Sequence, residues 1–170
     1  MQVREGLKVG RCPMPVQDAR ARVKNFDEVA LGYTEEEALR EASRCLLCKN
    51  PGCVQGCPVG VDIPAFIERI LRRDYRGAAA VIREKNSLPA VCGRVCPQEN
   101  QCEKHCARGK RDEPVAIGCL ERFVADWELR NGGEDPPKAP PTGMRVAVVG
   151  SGPAGLTAAA DLARLGHEVT

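Results

Sequence analysis

The chain of 170 residues has few large side chains: one Trp, two Tyr and three Phe make up only 4% of it. Little bulk is therefore at hand to fill a core, and a domain of this kind can be held by metal-ligand bonds that cross-link distant loops. Long apolar runs are missing as well. No stretch reaches the length needed to span a bilayer, so a soluble protein with no membrane partner is expected. The net charge is +2, with 25 Lys and Arg against 23 Asp and Glu, and no nucleic-acid or membrane preference follows. Residues 1–10 carry Arg4, Glu5 and Lys8 and lack a signal-peptide core, which argues against an oxidising destination. The length allows one compact domain, or one domain with part of another.

Cysteine is what the chain has: ten residues, eight of them in two quartets. The first is Cys45, Cys48, Cys53 and Cys57; the second is Cys92, Cys96, Cys102 and Cys106. The intervening loops are short and rich in Gly, Pro and Asn, and each quartet has a Cys-Pro step, at Pro58 and Pro97. Disulfides suit a small secreted domain, which this chain does not resemble. Structural zinc usually shows paired Cys-x2-Cys knuckles or mixed Cys/His ligands, and only Cys45 and Cys48 form such a pair. Iron-sulfur clusters need thiolates wrapped round a cubane by sharply turning loops, and Cys53 to Cys57-Pro58 repeats the x3-Cys-Pro ending of bacterial ferredoxins. In two-cluster ferredoxins the cysteine before the proline serves the other cluster, which predicts that Cys57 leaves its quartet in exchange for Cys106. A reducing cytoplasm suits ten cysteines kept as thiols or thiolates.

In chain order, residues 1–33 read as an extended arm packed on the domain, stiffened by Cys12-Pro13-Met14-Pro15, with Cys12 as a small buried residue. Residues 34–130 read as a helical domain. Thr34 and Glu37 form a capping box, and Ala38, Leu39, Ala42, Cys45 and Leu46 continue at helical spacing, which carries Cys45 on the helix end. Asp62 caps a second helix with the stripe Phe66, Ile67, Ile70 and Leu71; a third runs from Asp74 to about Asn86, packed through Ala78, Ala79, Val81 and Ile82. The second quartet is expected in short turns. Pro114 then starts a longer helix with Ile117, Leu120, Val124 and Trp127 on one face. By itself Glu121 reads as a solvated helix carboxylate and Cys119 as a packing residue.

Residues 131–143, with four prolines and three glycines, form an extended connector. Met144 to Val149 reads as a buried strand, leading into Gly150-Ser151-Gly152-Pro153-Ala154-Gly155 and an alanine-rich helix to about Leu165; a second strand starts at His167. Between strand and helix this glycine spacing predicts a dinucleotide site, with the phosphates at the helix N-terminus. FAD and NAD are not separated by it. The fold class expected is mainly α, a helical two-cluster iron-sulfur domain at 34–130, followed at 144–170 by the β-α-β beginning of a Rossmann-like domain in a longer protein.

Both quartets, the connector and the glycine turn, in that order, resemble the small (beta) subunit of NADPH-dependent glutamate synthase. The module is shared with the large subunit of NADH-dependent ferredoxin-NADP oxidoreductase and with dihydropyrimidine dehydrogenase. Leu31-Gly32-Tyr33-Thr34, Leu88-Pro89-Ala90-Val91-Cys92-Gly93-Arg94-Val95-Cys96-Pro97 and Pro114-Val115-Ala116-Ile117-Gly118 carry the resemblance. It implies two 4Fe-4S clusters, one on Cys45, Cys48, Cys53 and Cys106, the other on Cys57, Cys96, Cys102 and Glu121. Cys92 would stand beside the second cluster unbound, or take the place of Glu121.

It further implies an electron relay: NADPH or NADH reduces FAD, and the clusters pass single electrons to a partner. The partner it implies is a glutamate synthase large subunit, or a ferredoxin or flavoprotein subunit, within a hetero-oligomer. The other reading is a ferredoxin-like carrier or docking module with an unused nucleotide turn. No residue stands out as a nucleophile or general base, and His105 is expected to hydrogen-bond beside the ligands. The 170 residues alone are expected to hold clusters but little flavin, without turnover.

Overall fold

The structure is a computed structural model, which describes residues 9–133 and 136–170. Residues 1–8 of the expected arm, and Glu134 and Asp135 of the expected connector, lie outside the described residues. The chain forms two compact units, Met1–Asn131 and Gly132–Thr170. As expected, it is mainly helical, and the described residues include one two-stranded parallel sheet.

In the first unit a short helix α1 (Ala19–Arg22) interrupts the arm, whose flanks meet at a bridge between Val16 and Ala30. Helix α2 (Glu35–Ala42) starts at the Thr34-Glu37 capping box, both halves of which are formed. It is shorter than expected and ends before Cys45. Arg44 is drawn wholly inside, donating to Glu41 and to the carbonyls of Val9, Glu113 and Pro114, and the backbone turns left-handed at Leu47, φ 45°. The apolar period continues past that point, but the burial of Arg44 stops the helix.

A one-turn helix α3 (Gly52–Gln55) carries Cys53. Helices α4 (Ile63–Leu71) and α5 (Tyr75–Arg83) are capped by Asp62 and Asp74 and pack on each other through Phe66, Ile67, Ile70, Ala78 and Ile82, all at most 1% exposed. Full burial of each such Phe or Ile contributes about 1.5–3 kcal/mol. Three of the six aromatics meet here: Tyr75 lies edge-on to Phe123 at 5.3 Å and 5.7 Å from Trp127.

Cys92 is not in a turn: it lies in helix α6 (Pro89–Val95), for which Pro89 supplies the first-turn residue. The last helix of the unit, α7 (Ile117–Asn131), begins three residues later than Pro114. The carbonyl of Pro114 accepts from Arg11 and Arg44, and the amides of Ala116 and Gly118 donate to the buried carboxylates of Glu41 and Glu103. Those two carboxylates also suit the positive end of the helix dipole. The expected stripe is seen in Ile117, Leu120 and Val124, with Trp127 half-buried, but Phe123, Ala125, Arg122 and Glu128 are buried as well. Helix α7 packs against α2, α4, α5 and α6 and so runs through the middle of the unit.

In the second unit β1 (Arg145–Val146) pairs in parallel with β2 (Glu168–Val169), and helix α8 (Pro153–Arg164) connects them. The ladder continues to Val148, whose amide donates to Thr170 at 2.7 Å. Among the described residues no helix is long and apolar enough to cross a membrane.

Candidate metal centre

The two quartets are interleaved in space. Helix α3 of the first lies against the 101–105 loop of the second so tightly that a methyl group on Gly52 would stand 2.7 Å from the His105 carbonyl oxygen, and one on Gly56 2.8 Å from that of Gln101. Only glycine fits where the two loops cross. His105 is a packing neighbour at this crossing.

Four thiols, Cys45, Cys48, Cys53 and Cys106, line one cavity with Ile63, Ile67, Val115 and Ile117. Its empty volume, open solvent at the mouth included, is about 370 Å³. Burial, helped by the nearness of Cys106, drives the thiol of Cys45 up to about 11 and that of Cys53 up to about 12. Backbone amides work the other way: Leu47 donates toward the Cys45 sulfur and Val54 toward that of Cys53. The left-handed turn at Leu47 is what aims the first of these.

Cys57 lies with the other group. Its charge, with those of Cys92 and Glu121, bears on Cys96, and its charge and that of Glu121 bear on Cys102. Burial pushes both Cys96 and Cys102 up to about 12. Glu121 is not a solvated helix carboxylate: it is half-buried, and burial raises its carboxyl to about 7, against the lowering effect of a 2.7 Å hydrogen bond donated by Asn86. Cys92 donates toward Asn86 Oδ1 at 3.6 Å. Cys106 thus lines the cavity of the first quartet's thiols, and Cys57 stands near Cys96 and Cys102. Among the described residues no three His, Cys, Asp or Glu side chains are arranged to hold a single metal ion. Soft sulfur donors in a largely apolar wall suit an iron-sulfur group.

The remaining cysteines sit apart from these sets. Cys12 is 4% exposed, with its amide donating to Glu41 and its carbonyl accepting from Tyr33; Cys119 is half-buried, with Tyr33 hydrogen-bonded to its sulfur. Sequence reasoning missed the buried polar frame around the sites. Glu41 and Arg44, both 0% exposed, pair at 2.6 Å, and Arg11 pairs with Glu103 at 2.8 Å. Arg108 reaches the carbonyls of Val9 and Arg44 and the carboxylate of Asp112.

The glycine turn lies between β1 and α8. Gly150 has φ 110°, Gly152 is the N-cap of α8 with Pro153 next, and a methyl on Gly155 would come within 2.1 Å of the Gly150 carbonyl oxygen. Ser151 and Ala154 complete the turn. Around Gly150 and Gly152 the space is open.

The chain is 46% identical over 145 residues to the NAD-dependent dihydropyrimidine dehydrogenase subunit PreT of Escherichia coli, covering 85% of this chain and 35% of that protein. It is 38% identical over 161 residues to the glutamate synthase [NADPH] small chain of Halomonas elongata, covering 94% and 34%. The putative oxidoreductase AegA of Escherichia coli is 39% identical over 152 residues, covering 88% and 23%. The chain therefore spans about a third of the length of the first two relatives. Residues 22–133, more than half of its length, match a single family, and the chain belongs to it: dihydropyrimidine dehydrogenase domain II, 4Fe-4S cluster.

Proposed function

We propose that this chain is the electron-relay portion of an NAD(P)H-dependent flavin and iron-sulfur oxidoreductase that works with a partner subunit. Residues 1–33 form the arm, 34–130 the cluster domain, 131–143 the connector and 144–170 the start of a Rossmann-like FAD domain. Cys45, Cys48, Cys53 and Cys106 hold one 4Fe-4S cluster; Cys57, Cys96, Cys102 and Glu121 hold the other. What supports the reading is that Cys106 lines the cavity of Cys45, Cys48 and Cys53 while Cys57 bears on Cys96 and Cys102, the placement that an exchange of ligands in the two-cluster ferredoxin manner would use. Bound, FAD would accept a hydride from the nicotinamide and the clusters would carry single electrons onward.

The chain's own residues place, insulate and tune. Ile63, Ile67, Val115 and Ile117 keep water from the first cluster, while the amides of Leu47 and Val54 stabilise the charge on its sulfurs. Gly150, Ser151, Gly152, Pro153, Ala154 and Gly155 would hold the FAD pyrophosphate, with the unpaired amides at the start of α8 facing the phosphates. Glutamate synthesis with a large subunit is one use of the relay, and a ferredoxin or flavoprotein subunit another partner. Identity favours a further use: the relative named as a subunit of an NAD-dependent dihydropyrimidine dehydrogenase matches at 46%, the glutamate synthase small chain at 38%.

Anaerobic iron and sulfide analysis with EPR tests the reading. Iron and acid-labile sulfide are expected in equal amounts, at the level two 4Fe-4S clusters require, and Glu121→Ala should alter one cluster's signal and leave the other. A colourless, iron-free protein after anaerobic purification overturns the relay.

A further inference from the structure

Asn86 stands where α5 ends and α6 begins, 8% exposed, and touches both side chains that compete for the second cluster. Its amide nitrogen donates to Glu121 Oε1 at 2.7 Å; its amide oxygen accepts from the Leu88 amide at 2.9 Å and faces the Cys92 sulfur at 3.6 Å. The Leu88 contact fixes which way the amide points. A backbone N–H only donates, so the oxygen must face Leu88 and the nitrogen must face Glu121. Cys92 consequently meets an oxygen that only accepts, and the contact holds only while the sulfur keeps its S–H.

We propose that Asn86 is the positioning residue that assigns the fourth ligand of the second cluster: its nitrogen presents Glu121 beside Cys57, Cys96 and Cys102, and its oxygen keeps Cys92 out as a hydrogen-bond donor. This rests on the cluster assignment above. Glu121 would hold the cluster as a carboxylate while its Oε1 accepts from Asn86. For Cys92 to bind instead, the sulfur must release its proton to solvent and give up the Asn86 oxygen, while the Glu121 oxygen leaves the iron. Outer partners of this kind typically change metal affinity about 10- to 100-fold.

The test uses the full chain loaded anaerobically with iron and sulfide, as wild type, Asn86→Asp, Asn86→Ala and Asn86→Ala with Cys92→Ser. Asn86→Asp retains an acceptor for Leu88, so the turn persists, but it sets a carboxylate oxygen against Glu121. Two readouts are followed: iodoacetamide labelling of native Cys92, located by mass spectrometry, and the EPR signal and potential of the second cluster. In wild type Cys92 labels. In Asn86→Asp and Asn86→Ala it should be protected roughly tenfold, as expected when the outer partner of a ligand is lost, and the second signal should move toward that of Glu121→Ala. Adding Cys92→Ser should remove that new signal. Unchanged Cys92 labelling and second-cluster EPR in Asn86→Asp overturn the proposal, as does a shifted signal that survives Cys92→Ser. Wild type without iron overturns the cluster assignment instead, so the two failures are distinct.

Discussion

Glu41 and Arg44 set the stakes for single side chains. Both are fully buried, and their ion pair also satisfies amides of Cys12 and Ala116 and carbonyls of Val9, Glu113 and Pro114. Breaking a buried pair from one side typically costs about 3–5 kcal/mol, and Arg44→Met should lower unfolding stability by that order in urea titration. Replacing both with leucine should not restore it, because the amides of Cys12 and Ala116 and the carbonyl of Glu113 would remain without these partners. Nothing in the sequence marks this pair: Glu41 and Arg44 read as ordinary surface residues of an amphipathic helix, and their burial is imposed by chain about 70 residues away. The thiols were legible because their spacing is chemical. The burial of Glu121 had no signal in the sequence, since its hydrogen-bond partner Asn86 is 35 residues away.

At the level of elements, caps and stripes could be read and terminations could not. Thr34, Asp62 and Asp74 start their helices as their side chains dictate, whereas α2 stops at Ala42 and α7 starts at Ile117 because distant partners claim the backbone there. Gly93, inside the quartet expected in short turns, lies within α6, where a methyl group would stand 2.6 Å from the Arg122 amide of α7. Backbone at that distance cannot yield as a flexible side chain can. Gly93→Ala should force the two helices apart, cost about 1–3 kcal/mol by thermal denaturation and lower the iron content. Arg94 and Arg122 clamp the arm to these helices through Glu28, at 2.6 and 2.8 Å. Glu28→Gln should loosen the arm, read as faster amide exchange at Leu31, whose amide donates to Pro15.

For the molecule as a whole, metal-free stability should fall with pH in two steps. The folded protein holds the Glu121 proton up to about 7, against an ordinary value of 4.5; the stability this group contributes is fully present below 4.5 and is lost as pH rises to about 7. The thiols of Cys45, Cys53, Cys96 and Cys102 ionise at about 9 in an unfolded chain and only near 11 to 12 here, so a second decline begins above pH 9. Urea midpoints of the metal-free protein across that range should show both steps, and the iron-loaded protein should lack the second. Metal loading must strip protons from those thiols, and weakly buffered solution should acidify as clusters form.

The exchange of Cys57 and Cys106 has a final consequence. On the proposed ligand sets each cubane draws sulfur from both halves of the domain, so neither can be lost without slackening the strand that grips its neighbour. Oxygen damage should accordingly proceed as one event, bleaching the pair together, and singly loaded chains should be scarce during titration with iron and sulfide.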